Sequence, residues 1–132
     1  NLRGKHKTIS DVTSNVVIPF DGRVGNAMGA SMNEIDVAFL NKNTLHLIEC
    51  KTANLTQAGH GDDDKATEAL YKMESLLKLG GLRTKGMVVD YRGAFSSSAA
   101  NMKRAAEANI LVASGKDLKD LGGLITRKWL SN

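Results

Sequence analysis

At 132 residues the chain is long enough for one domain with its own core. A hydrophobic fraction of 42% and a charged fraction of 24% exclude an intrinsically disordered chain, and no apolar run approaches the roughly 18 residues of a membrane span. One cysteine, Cys50, excludes an intramolecular disulfide and fits a reducing, cytoplasmic compartment. The net charge of +4 permits a polyanionic partner without requiring one.

The chain starts at Asn1 and reads as a processed product or a fragment of a longer polypeptide. Residues 1–14 are polar and basic (Arg3, Lys5, His6, Lys7) and read as a leader, the remnant of a preceding element. Residues 15–132 read as the domain proper. Asn15 to Phe20 predicts a short strand with Pro19 at an edge. Residues 21–32 hold three glycines and predict a long loop, from which Arg23 can meet a phosphate. Their spacing is not a dinucleotide fingerprint.

Asn33 to Lys51 predicts a β-hairpin: two alternating apolar runs flank Asn41-Lys42-Asn43-Thr44. After a loop, Asp62, Asp63 and Asp64 suit the first turn of a helix, where negative charge opposes the dipole. A metal site made of these three and His60 is the weaker reading. Over 65–79 the positions Ala66, Ala69, Leu70, Met73, Leu76 and Leu77 follow a helical stripe, which Gly80-Gly81 ends. Tyr71 and Glu74 lie opposite that stripe, with Lys72 on its flank. Met87-Val88-Val89 predicts a buried strand. Ser96 to Ser98 offer N-caps for a helix over Ala99 to Ala108, with Met102, Ala105 and Ala106 facing inward. Ile110 to Ala113 predicts another buried strand. Ser114 to Asp117 matches a capping box that opens a last helix, its inner face Leu118, Leu121, Ile125 and Trp129. The order of elements predicts an α/β fold: a mixed sheet with helices on its faces and a parallel crossover in its second half.

The chemistry concentrates on the hairpin. Pairing Leu40 with Leu45 sets Asp36 opposite Glu49 and Glu34 opposite Lys51, all on one face. Two opposed carboxylates repel. A hard cation such as Mg²⁺ or Mn²⁺ reverses that sign, because it binds one or two carboxylates and keeps positions for water and phosphate oxygens. Lys51 then lies one pleat from Glu49, placed to orient water or stabilise phosphate charge. The same alternation also fits the solvated face of an ordinary hairpin. A three-residue loop would shift the register and separate Asp36 from Glu49. Cys50 alternates away from both neighbours and is expected in the core beside Ile48.

Asp36, the hairpin and Glu49-Cys50-Lys51 resemble the D…E-x-K core of the PD-(D/E)XK nuclease superfamily. The longer set of Asn33-Glu34-Ile35-Asp36, Leu47-Ile48-Glu49-Cys50-Lys51-Thr52, Leu70-Tyr71-Lys72-Met73-Glu74 and Gly80-Gly81-Leu82 resembles one group within it, from about Asn15 onward. These are the prokaryotic, CARF-containing accessory nucleases of CRISPR type III antiviral defence, which cyclic oligoadenylate activates. The resemblance implies a restriction-endonuclease-like fold. It implies that Asp36, Glu49 and the Cys50 backbone carbonyl hold Mn²⁺ or Mg²⁺, with Lys51 as the catalytic lysine. Glu34, Tyr71 and Lys72 are accessory candidates, and Arg23, Arg83, Lys85 and Arg92 are candidates for holding the nucleic acid backbone. It further implies a homodimer that cleaves single-stranded DNA, RNA or both, with duplex DNA a further substrate candidate. Cyclic oligoadenylate would act only through a sensor domain absent from these residues. Ile35 stands where the superfamily has its proline, and residues 1–14 carry no clear copy of the acidic residue usual on an opening helix. Two other readings are a structure-specific DNA endonuclease such as a resolvase, and a non-catalytic nucleic-acid-binding or dimerisation module on the same fold.

Overall fold

The computed structural model describes residues 8–19, 32–52, 62–79, 81, 83–93 and 95–131. Among the described residues five strands and three α-helices follow one another: β1 (Ile9–Pro19), β2 (Met32–Asn41), β3 (Thr44–Lys51), α1 (Asp62–Leu79), β4 (Thr84–Asp90), α2 (Ala99–Glu107), β5 (Ile110–Ser114) and α3 (Leu121–Ile125). The strands form one sheet in chain order, antiparallel from β1 to β3 and parallel from β3 to β5. This is the mixed α/β order expected from the sequence.

A two-residue turn sets the hairpin register. Lys42 and Asn43 take φ of 48° and 62°, the left-handed pair whose twist suits a tight hairpin. Leu40 therefore pairs with Leu45 and Val37 with Ile48, in the expected register. β1 departs from expectation: it starts at Ile9, so Ile9 to Ser14, read above as leader, are part of the sheet. Ile9 is the reason. It is buried in the cluster that contains Phe39 and Trp129, and so anchors a stretch that otherwise looks too polar for a strand.

α1 begins at Asp62, within the acidic run, and buries Ala66, Ala69, Leu70, Met73 and Leu76. It ends where Gly81, at φ +77°, donates its N–H to the Lys78 carbonyl. On α2 the Ser98 side chain accepts the N–H of Asn101, as expected of an N-cap. Its inner stripe differs from the expected one. Asn101 and Ala105 are buried, whereas Met102 and Ala106 are exposed. Four-residue spacing from Asn101 to Ala105 defines the face, and a buried asparagine is invisible to a search for apolar positions. The last helix is also broken. A 3-10 turn over Gly115–Asp120, α3 and a π turn over Thr126–Leu130 replace one continuous helix. The Asp120 carboxylate accepts the Gly123 N–H and so starts a new helix inside the glycine-weakened stretch.

Two hydrophobic clusters cover the sheet. Leu47 and Val88 pack with Leu70, Met73 and Leu76 of α1 and Ala105 of α2. Phe39, Ile48 and Met87 pack with Ile125 and Trp129 of the C-terminal layer. Glu49 alternates with Leu47, which places it on the α1 side.

Candidate active site

The hairpin ladder ends at the Val37–Ile48 pair, one position before Asp36 and Glu49. There Asp36 turns its carboxylate to the neighbouring strand, and its Oδ2 accepts the Cys50 N–H at 2.5 Å. The cause lies in β2. Ile35 and Ala38 should face opposite sides of a regular pleat, yet both belong to the α1-side cluster. The facing residue on β1, Asn15, has φ 54°, and the β1–β2 register skips an Asn15–Asp36 pair. The strand is irregular at Asp36, which re-aims the side chain.

Glu49 is 4% exposed. Its Oε1 accepts the ammonium of Lys51 at 2.6 Å and that of Lys72, from α1, at 2.8 Å. Its Oε2 is buried and has no hydrogen-bond partner among the described residues. Lys72 Nζ also donates to the Glu34 carbonyl at 2.6 Å, tying α1 to β2. A buried carboxylate oxygen without a donor is costly, and a hard cation is the kind of group that it suits. Asp36, Glu49 and the Cys50 carbonyl are the oxygen donors that could hold a hard cation such as Mg²⁺ or Mn²⁺. Among the described residues no three His, Cys, Asp or Glu side chains converge.

The other expected residues divide. Cys50 is exposed rather than buried beside Ile48. The C-terminal layer covers Ile48 but not the end of β3. Partial burial and then the charges of Asp36 and Glu49 push its thiol pKa up. Glu34 is exposed and contributes its backbone carbonyl, while Lys51 takes Glu49 and not Glu34 as its partner. Tyr71 lies beneath the Arg104 guanidinium, 3.7 Å from the ring centre, and Arg104 also holds Glu74. That tyrosine thus joins α1 to α2 and does not line the carboxylate pair. Arg92 sits at the site's end of the sheet, where Nε donates to the Thr52 carbonyl at 3.0 Å. Arg83 and Lys85 do not. Parallel pairing aligns Lys85 with His46, three residues before Glu49, or roughly 10 Å along the strand and on the other face. Arg83 is farther still, its carbonyl bonded to the Leu45 N–H. Arg23, His60 and the predicted loop residues 21–31 and 53–61 lie outside the described residues.

One carboxylate beside the site was missed from sequence. Asp90 is fully buried and aligned with Lys51. Its oxygens accept the N–H groups of Arg92 at 3.1 Å and Phe95 at 2.7 Å, which fixes the turn after β4. The available signal was an aspartate at a strand end before Tyr91-Arg92-Gly93, a common turn opener.

The fold and the set Asp36, Glu49 and Lys51 on paired strands define a restriction-endonuclease-like domain. The sequence matches the Card1-like endonuclease domain family over residues 1–131, and the chain belongs to that family. It is similar to the protein VC1899 of Vibrio cholerae, with 32% identity and a TM-score of 0.76 over 98% of this chain and 30% of that one. It is also similar to Can2 of Sulfobacillus thermosulfidooxidans, solved with cyclic tetra-adenylate, with 28% identity and a TM-score of 0.64 over 90% of this chain and 30% of that one. A protein of unknown function, AF1548, shares the fold at 19% identity and a TM-score of 0.53, over 86% of this chain and 52% of that one. The chain thus spans about a third of the length of the first two structures. No curated protein matches it.

Proposed function

We propose that this chain is the metal-dependent nuclease domain of a CRISPR-linked defence protein, hydrolysing phosphodiester bonds of single-stranded DNA, RNA or both. The observation that carries this reading is the buried Oε2 of Glu49, without a hydrogen-bond partner among the described residues, with two lysines held on the opposite oxygen and the Asp36 carboxylate on the next residue's amide. Asp36, Glu49 and the Cys50 carbonyl would hold Mn²⁺ or Mg²⁺. When bound, the cation supplies Lewis-acid polarisation of a phosphoryl oxygen. The chain's own groups do the rest. The Cys50 amide fixes the Asp36 rotamer. Lys51, half-exposed and held by Glu49, offers ammonium donors to the attacking water or to charge developing on phosphorus. Arg92 stands at the same end of the sheet to meet the backbone.

Membership of the Card1-like family supports the endonuclease assignment. Likeness to Can2, a structure containing cyclic tetra-adenylate, supports control by a cyclic oligoadenylate; a separate sensor domain and a homodimer are part of the proposal. The test is cleavage of labelled single-stranded DNA, RNA, duplex and branched DNA with Mn²⁺, by the full-length polypeptide with and without cyclic oligoadenylate. Asp36→Asn and Glu49→Gln should each lower cleavage about a hundredfold or more while circular dichroism stays unchanged. Undiminished cleavage by purified Asp36→Asn would sink the assignment. Preference for branched DNA would make the protein a structure-specific endonuclease instead.

A further inference from the structure

The two lysines on Glu49 raise a question of charge. Lys51 comes from the same strand, and two-residue spacing brings it to Glu49 by the local pleat. Lys72 comes from α1, and nothing in the hairpin requires it. Its position is nonetheless fixed. Leu70 and Met73, on either side of it in sequence, are 0% and 1% exposed and seat the helix on the sheet. Its Nζ spans two groups, Glu49 Oε1 and the Glu34 carbonyl. The second bond does not involve a carboxylate, so Lys72 stays at the site even when Glu49 redistributes its charge.

Asp36, Glu49, Lys51 and Lys72 bring two negative and two positive charges to one place. Asp90 is adjacent and keeps its charge, but its oxygens are bonded to the Arg92 and Phe95 amides and to neither lysine, and the four side chains are counted without it. The four-residue cluster is therefore neutral as it stands. A divalent cation alone would enter against two ammonium groups held at bonding distance of one of its own ligands. A phosphodiester arriving with it would lower the resulting charge.

We propose that Lys72 is a positioning residue that neutralises the carboxylate pair, so that the divalent cation binds weakly alone and tightly only together with the phosphodiester. The inference rests on the metal-site reading above. Lys72 holds Oε1 and leaves Oε2 uncommitted, and so acts on the cation through charge rather than by blocking its oxygen. Removing its charge makes the cluster net negative and strengthens the attraction of a bare cation.

The test is the binding of Mn²⁺ to the full-length polypeptide, read from the electron paramagnetic resonance signal of unbound Mn²⁺. Lys72→Met should tighten Mn²⁺ about tenfold in the absence of nucleic acid. Lys72→Gln, a second neutral variant, should do the same, and Lys72→Arg, which keeps the charge, should stay near the wild type. A cleavage-resistant phosphorothioate oligonucleotide should tighten Mn²⁺ more in the wild type than in Lys72→Met. Unchanged or weaker Mn²⁺ binding by folded Lys72→Met and Lys72→Gln overturns the inference. If that happens while Glu49→Gln still abolishes Mn²⁺ binding, the metal site itself stands. If Glu49→Gln leaves Mn²⁺ binding unaltered, both the site and the inference fall.

Discussion

His46 is fully buried, its ring stacked on Phe39 at 4.6 Å between centroids and tilted against Trp129 at 4.9 Å. Nδ1 lies 3.0 Å from the Thr44 carbonyl. A carbonyl only accepts, so Nδ1 carries the proton and neutral Nε2 faces an apolar enclosure without a partner among the described residues. Desolvation is the largest influence and lowers the pKa below its usual 6.5; the Thr44 carbonyl opposes this, and the charge of Lys85 adds to it. The folded state thus resists protonation that the unfolded chain accepts. Stability from this residue is fully present above about pH 6.5 and declines as pH falls through that value, by at most about 1.4 kcal/mol per pH unit. Urea unfolding between pH 7.5 and 5 should show the decline, and His46→Phe should flatten it. An equal slope in His46→Phe would assign the effect elsewhere. A histidine in an alternating strand gives no sign in sequence that its neighbours are aromatic rings from β2 and the C-terminus. The same limit applies to Lys72. Its place on the helix flank was legible, but the two acceptors it reaches lie on separate strands. The closeness of Glu49 and Lys51, by contrast, was legible from alternation along β3, whereas the turn of Asp36 towards the Cys50 amide was not.

Among the elements, the contact of α1 with β4 decides whether the site is assembled. Gly86 on β4 lies under Met73. A Cβ there would stand 2.7 Å from the Met73 Sδ and 3.3 Å from a Leu77 methyl. Met73 is 1% exposed and packs in the α1-side cluster. Gly86→Ala should therefore cost about 1–3 kcal/mol by overpacking and push the helix away from the sheet. Because Lys72 is the next residue to Met73, the same change should loosen Lys72 from Glu49 and lower cleavage. A double-mutant cycle checks the cause: in a Met73→Ala background the added cost of Gly86→Ala should largely vanish. Additive costs would mean that the methionine is not what Gly86 accommodates. The periodicity of α1 made its buried stripe legible, whereas nothing in the sequence singled out the glycine opposite it. Parallel pairing was the other obscured feature. From sequence Arg83 and Lys85 are merely close to a buried strand. Alignment of Thr84 with Leu45 and Asp90 with Lys51 sends them away from Glu49 and brings Arg92 to the Thr52 end of β3.

Across the whole molecule the sheet separates two cores with different duties. The α1-side cluster holds Leu47 and Leu70 and lies beneath Glu49 and Lys72. The opposite cluster, built on Phe39, Met87 and Trp129, packs on the other face of the sheet. Both contribute to stability, because each buries large side chains, but geometry at the site depends mainly on the first. Trp129→Leu should cost about 2–4 kcal/mol and lower Tm. Well below that Tm, it should leave kcat/KM within about twofold, because β3 is still fixed from the α1 side. Leu70→Ala should cost a similar 2–5 kcal/mol. It should also reduce kcat/KM about tenfold or more at the same temperature, since small displacements of positioning groups are expensive in rate. The comparison is made at equal fractions folded, verified by circular dichroism, so that the two rates report site geometry rather than population. Equal rate losses in the two variants would show that the sheet transmits strain between its faces. Then the C-terminal layer, although remote from the carboxylates, would belong to the machinery that positions them.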